Sequence, residues 1–356
     1  MTSTTYDSDG TLHIPAYVMK QSDFLSEEFK RAYTQHLRDA ATWPLVPPAV
    51  NAPKAEWDNY DAEVDRLLFS PPVQWAEENY PCDIVETEIA GVRVGIVTPK
   101  QGVAPENEQR VLINVHGGGF IFGRGLMAGK SEAMPVASVG RIKVITIDYR
   151  MAPYHTFPAA SEDVEAVYRA LLKTFQPEMI GIFGSSAGGV LTAQSLSWFQ
   201  SKRLPCPGAA GIFAAAPMPL NFRGDSTMWG EIGLPHPERE FSGPSGSGLI
   251  SEKPSSAGPM DYFKGASMND PLVNPSISDD VLGGFPSTLW ITGTRSFDMS
   301  PVIVSHARLL RLHVDSHLYV QEGGQHGAYN IGQHMTTEGR DTVKYIARWF
   351  QQHLPS

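Results

Sequence analysis

Met179-Ile180-Gly181-Ile182-Phe183-Gly184-Ser185-Ser186-Ala187-Gly188-Gly189 is the stretch on which the rest of the chain is read. Its short apolar run predicts a strand buried on both faces. A helix is predicted from Val190 to Trp198, so Gly-x-Ser-x-Gly falls on the turn between strand and helix. A sharp turn of that kind lifts a serine hydroxyl above the sheet, and neighbouring backbone passes too close for side chains beside it. Ser186 is the only serine centred between two such glycines. Moving the frame by one places Phe183 where a glycine is needed, which disfavours Ser185.

Upstream, a second buried run, Val111–Val115, leads into His116-Gly117-Gly118-Gly119-Phe120. Consecutive glycines expose backbone N–H groups that can line an oxyanion hole, where each donor is worth about 3–4 kcal/mol to the charged intermediate. Gly118 and Gly119 are the candidates, joined by the N–H of Ala187, the residue after the nucleophile. His116 stands at a strand end before the glycines, a place that favours a structural hydrogen bond over catalysis.

A serine hydroxyl is a weak nucleophile at neutral pH and needs a base in contact, held in turn by a third group. With this kind of elbow the acid precedes the base along the chain, and both follow the serine. His326, in Gly323-Gly324-Gln325-His326-Gly327 just after the last strand, is the expected base, with His334 the runner-up. Asp298 is the only carboxylate in Gly293-Thr294-Arg295-Ser296-Phe297-Asp298, which makes it the expected acid; Asp279, Asp280 and Glu322 stand in reserve. The bland reading of Asp298 is an N-cap for the segment beginning at Pro301. His313 and His317 have i,i+4 spacing but straddle a helix-to-strand connection and lack further ligands, so no metal site is expected there.

The surrounding chain fits a mainly parallel sheet flanked by helices. Val144–Ile147, Ile212–Ala215, Leu289–Thr292 and Leu318–Gln321 read as further strands, and Ile84–Ile89 with Val92–Ile96 as a hairpin across Ala90-Gly91. Val164, Val167, Tyr168, Leu171, Leu172 and Phe175 form one helical stripe; Val343, Ile346, Ala347 and Phe350 form another. Strands alternating with helices define the α/β class. Residues 1–80 read as helices between proline-rich loops, with Pro71-Pro72 ending that region. Residues 81–356 form the catalytic unit, in which the Gly-, Ser- and Pro-rich segment 221–260 is read as a cap or specificity insertion.

Composition narrows the function. The net charge of −10 over 356 residues disfavours nucleic acid and anionic membrane as partners. No apolar run approaches the roughly 18 residues of a membrane span, and the polar N-terminus carries no signal-peptide pattern, so a cytoplasmic protein is expected. Cys82 and Cys206 read as two free, buried thiols.

From about Val111 onward the chain resembles the hormone-sensitive lipase-like family of α/β-hydrolases, bacterial esterases that share the HGGGF box. The likeness includes Asp148-Tyr149-Arg150-Met151-Ala152-Pro153 and Phe157-Pro158-Ala159-Ala160. It implies an α/β-hydrolase fold with a helical cap, nucleophile Ser186, base His326, and oxyanion donors Gly118, Gly119 and Ala187. It also implies a serine-dependent carboxylesterase acting on a small-molecule ester of short or medium chain, without metal or organic cofactor. A lactonase, an acyltransferase or a non-catalytic receptor of the same fold are the alternatives, and a homo-oligomer is left open. Three positions depart from the family pattern. Ser185 precedes the nucleophile where Asp or Thr is common, Tyr154 stands where glutamate is frequent, and Ser296 falls where the acid usually sits, two residues before Asp298.

Overall fold

The computed structural model describes residues 4–14, 18–41, 46–219, 223–229, 257–329 and 335–355. Eight strands build the central sheet: β1 Cys82–Ile89, β2 Val92–Pro99, β3 Val111–Val115, β4 Lys143–Ile147, β5 Ile180–Ser185, β6 Ala209–Phe213, β7 Ser287–Gly293 and β8 Ser316–Gln321. Their order across the sheet is β1-β2-β4-β3-β5-β6-β7-β8. The β1–β2 hairpin and the β2–β4 pair are antiparallel; all other pairings are parallel. Ile89 pairs with Val92, and the two turn residues, Ala90 and Gly91, both have positive φ, as a tight hairpin with the sheet's twist requires.

Strands buried on both faces explain the apolar runs. Val111, Ile113 and Val115 of β3 point into one core, packed by α5 (Ala159–Leu171), α6 (Ala187–Ser201) and α8 (Met299–Arg311). Leu112 points into the opposite core, packed by α3 (Ser70–Asn79), α4 (Met127–Gly140) and α9 (Thr337–His353). The short helix α7 spans Asp279–Gly283. Both faces of the sheet are therefore covered, the condition under which parallel strands are stable.

Several expectations shift. The strand expected at Ile212–Ala215 lies at Ala209–Phe213, because Ala214 takes the left-handed conformation and ends the ladder. Pro71-Pro72 does not end the N-terminal region: both prolines sit in the first turn of α3, which runs on to Asn79. Before them, α2 (Lys54–Val64) passes through a π-turn at Asp65–Phe69. Cys206 is exposed and Cys82 half-buried, because Cys206 lies in the proline-flanked loop between α6 and β6. Helix α4 was not anticipated. It is apolar almost all round and carries Gly129 and Pro135, so no amphipathic stripe announces it.

The N-terminal residues reach across the body. Trp57, Tyr60, Val64 and Phe69 pack with Ala128 and Ala257. Arg124 donates to both oxygens of Asp61, at 2.8 and 3.1 Å, and to the Ala152 carbonyl at 2.6 Å. Its guanidinium also lies over the rings of Trp57 and Tyr154. Tyr154, one of the departures, thus serves as a platform for the cation that anchors α2. Helix α1 (Glu27–Ala41) docks at the other end, where Ser26 donates to Glu338, and Arg340 and Thr337 donate to Glu28. Most of the proposed insertion 221–260 and the runner-up base His334 lie outside the described residues.

Candidate active site

Strand β5 ends at Ser185, and Ser186 turns the chain into α6 with φ 54° and ψ −120°. That conformation is strained for any residue with a side chain, and strain of this kind persists only where the surroundings hold it. The holding is steric and hydrogen-bonded. A Cβ at Gly184 would stand 2.1 Å from the Val115 carbonyl oxygen, and one at Gly188 1.9 Å from the same atom. The Ser186 N–H donates to the Phe213 carbonyl at 2.9 Å. Both glycines of the motif are thus required by the end of β3 pressing into the elbow.

His326, on the loop after β8, has its Nε2 2.8 Å from Ser186 Oγ. Its Nδ1 is 2.7 Å from Asp298 Oδ1. A carboxylate only accepts, so Nδ1 carries the ring proton and Nε2 presents a lone pair to the serine hydroxyl. Asp298 is wholly buried and receives two further hydrogen bonds. Thr292 Oγ1 donates to Oδ2 at 2.6 Å, and Ser296 Oγ donates to Oδ1, the oxygen that His326 also uses. The Phe297 ring stacks on the imidazole at 4.2 Å, fixing its plane. The structure therefore brings Ser186, His326 and Asp298 into one hydrogen-bonded chain. Asp279, Asp280 and Glu322 are exposed and take no part: Asp279 pairs with Arg308, and Glu322 accepts from Thr294.

The glycine string lies against this elbow. A Cβ at Gly117 would come within 3.4 Å of Ser186 Cβ. Gly118 has φ +128° and turns so tightly that a Cβ there would meet the Phe122 carbonyl oxygen at 2.1 Å; its own carbonyl accepts from Ile121 and Phe122. Ala187 is the first residue of α6, so its N–H belongs to the unsatisfied, positive end of a helix, suited to an oxyanion. His116 is completely buried and points away from this chemistry: its Nδ1–H donates to the Gly117 carbonyl at 2.6 Å and its ring stacks on Tyr149. Burial pushes its pKa down to about 4, so the ring is neutral. Tyr149 in turn donates to the His116 carbonyl at 2.7 Å, tying the Asp148–Pro153 string to the glycine loop.

One residue escaped sequence reasoning. Glu132, on the unanticipated α4, is buried directly behind the elbow. Its Oε1 accepts from Ser185 Oγ at 2.6 Å and from the Gly117 N–H at 2.8 Å; its Oε2 accepts from Asn114 Nδ2 at 3.0 Å. One carboxylate thus joins the nucleophile turn to the glycine loop, and the Ser185 departure has a partner. The signal was a lone carboxylate in the run Met127–Gly140, whose one other charged residue is Lys130.

The family model for the alpha/beta hydrolase fold matches residues 112–330. The chain belongs to the α/β-hydrolase fold family. Among solved structures, esterase E25 aligns with a TM-score of 0.76 at 27% identity, covering 96% of this chain and 98% of its own. An esterase from the bacterial hormone-sensitive lipase family aligns with a TM-score of 0.71 at 21% identity, covering 93% and 99%. An esterase/lipase from an uncultured bacterium gives 0.72 at 21%, with 93% and 99% covered. These neighbours share the α/β-hydrolase fold of this chain over nearly its whole length. Among the described residues of this α/β-hydrolase, no helix is long and apolar enough to cross a membrane.

Proposed function

We propose that this chain is a serine-dependent carboxylesterase in which Ser186, His326 and Asp298 form the catalytic triad. The observation that carries the reading is the unbroken hydrogen-bond chain from Ser186 Oγ through the imidazole to a buried, doubly supported carboxylate. Ser186 Oγ attacks the ester carbonyl while His326 Nε2 takes its proton, and Asp298 stabilises the imidazolium that results. The oxygen of the tetrahedral intermediate accepts from the N–H groups of Gly118, Gly119 and Ala187. His326 returns the proton to the departing alcohol, leaving an acyl group on Ser186. Water, deprotonated by the same nitrogen, then releases the acid.

Short- and medium-chain esters are the proposed substrates, with residues 1–80 and the insertion 221–260 as the cap over the site. The docking of α2 through Arg124 supports that placement for the N-terminal part. Turnover of p-nitrophenyl acetate and butyrate by the wild type, compared with Ser186→Ala, tests the reading. Wild-type turnover should exceed that of the variant by about 10⁴-fold or more. An inert wild type that also takes no organophosphate label would overturn it.

A further inference from the structure

At the end of the sheet away from Ser186, Asp315 and His317 stand on the extended chain entering β8, two residues apart and therefore on one face. His353, the last residue of α9, meets them there. We propose that Asp315, His317 and His353 form a binding site for a divalent transition-metal ion of the zinc class, remote from the esterase centre.

Three observations support this site. The ligand atoms are already spaced for an ion: His317 Nε2 lies 3.1 Å from His353 Nε2 and 2.9 Å from Asp315 Oδ1, and His353 Nε2 lies 3.6 Å from Asp315 Oδ2. Tetrahedral zinc with bonds of about 2.0–2.1 Å sets its ligands about 3.3 Å apart, in the middle of these values. His353 is also prepared as a ligand. Its Nδ1–H donates to the Trp349 carbonyl at 2.8 Å and its ring stacks on the Trp349 indole at 4.2 Å. That bond to a backbone carbonyl leaves the Nε2 lone pair facing the cluster, the arrangement that orients metal-bound imidazoles.

The donor set points the same way. Two imidazole nitrogens and a carboxylate converge within 4.8 Å of one another, where a cation would sit with water completing the shell. Asp315 is oriented from behind by Ser287 Oγ, which donates to Oδ2 at 2.8 Å. His317 retains 36% of its side-chain exposure and Asp315 55%, enough for an ion to enter. Two imidazoles with one carboxylate suit zinc, nickel and copper better than magnesium or calcium. An ion so held would join the C-terminal end of α9 to the edge strand β8.

The test is calorimetric titration of the chelator-treated full chain with Zn²⁺, with Mg²⁺ as control and Co²⁺ as a spectroscopic probe. One saturable site is expected for Zn²⁺ and none for Mg²⁺, with a tetrahedral Co²⁺ absorption. The thermal midpoint should rise by roughly 5 °C at a hundredfold excess over Kd. His317→Gln and His353→Gln should each weaken Zn²⁺ binding by at least the roughly 10–100-fold that loss of an outer partner costs. Should one of them fail to fold, Asp315→Asn carries the same expectation. The proposal is overturned if no saturable Zn²⁺ binding occurs, if Mg²⁺ binds equally well, or if binding survives all three substitutions.

Discussion

Ser296 donates its hydroxyl to Asp298 Oδ1, the same oxygen that accepts the hydrogen bond from His326 Nδ1–H. In the proposed triad the carboxylate lies two residues beyond the place where the resembling family usually has it, and Ser296 at that place donates to it. Asp298→Asn should lower kcat by about 10⁴-fold, since an amide there favours the wrong imidazole tautomer. Ser296→Ala removes one hydrogen bond to a charged group, worth about 1.5–3 kcal/mol, and should cost roughly 10–100-fold. Ester turnover by the two variants checks the ranking. If Ser296→Ala proves the more damaging, Asp298 is not the acid.

Glu132 offers a second test. Its removal leaves the Ser185 hydroxyl, the Gly117 N–H and the Asn114 amide without their buried acceptor. The loss of a buried acceptor costs about 1–3 kcal/mol for each donor left unsatisfied. Glu132→Ala should therefore lower the unfolding free energy by several kcal/mol and reduce kcat more than it raises KM. Glu132→Asp, which keeps the charge, should recover part of both losses. Denaturant unfolding and steady-state kinetics on the three proteins decide the matter.

His116 predicts a pH dependence. Its folded pKa, about 4, lies below the ordinary value near 6.5, so below pH 6.5 the unfolded chain takes up a proton that the folded chain refuses. Its contribution is intact above about pH 6.5 and declines as pH falls towards 4, by on the order of 3 kcal/mol in all. Asp65 and Asp148, each pushed up to about 6 by burial, act in the opposite sense: the folded state binds their protons more tightly, so they favour folding as pH falls through that range. The wild-type curve sums these effects. The difference between wild type and His116→Asn, measured by urea unfolding at pH 7 and pH 5, isolates the histidine, and the acid-linked loss should be smaller in the variant.

Arg124 ties α2 to the body of the protein through Asp61. With Arg124→Ala, Asp61 keeps its partly buried carboxylate but loses both guanidinium bonds, and Trp57 and Tyr154 lose the cation between them. Limited proteolysis should then cut the N-terminal residues several-fold faster while the sheet resists. Activity on p-nitrophenyl butyrate should fall more than that on the acetate if α2 helps to form the acyl pocket. Unchanged cleavage rates would show that other contacts hold α2 in place.

What could be read in advance follows from local chemistry. Strands buried on both faces appear as apolar runs, so β3, β5 and β7 were visible together with the turns that leave their ends. The elbow was visible because only small residues tolerate the approach of Val115 to Gly184 and Gly188. Helix α4 was hidden because a helix buried on nearly every side has no period to detect, and Glu132 was hidden with it. The left-handed Ala214 shifted one strand without any glycine to mark the turn. The docking of α1 and α2 depends on pairs such as Asp61 with Arg124, separated by 63 positions, which no local pattern encodes.

The seating of α1 has a consequence for how the protein is made. Leu25 packs against Gly323 on the loop that carries His326, Arg295 in the loop that ends at Asp298 donates to the Lys20 carbonyl, and Ser26 reaches Glu338, 312 positions away. During synthesis those partners emerge long after the segment that needs them, and Leu25, Phe29 and Tyr33 must wait, unburied, for almost the whole chain. A nascent chain therefore exposes its sticky segment long before the means of covering it is made. Truncated products should be inert and prone to aggregate.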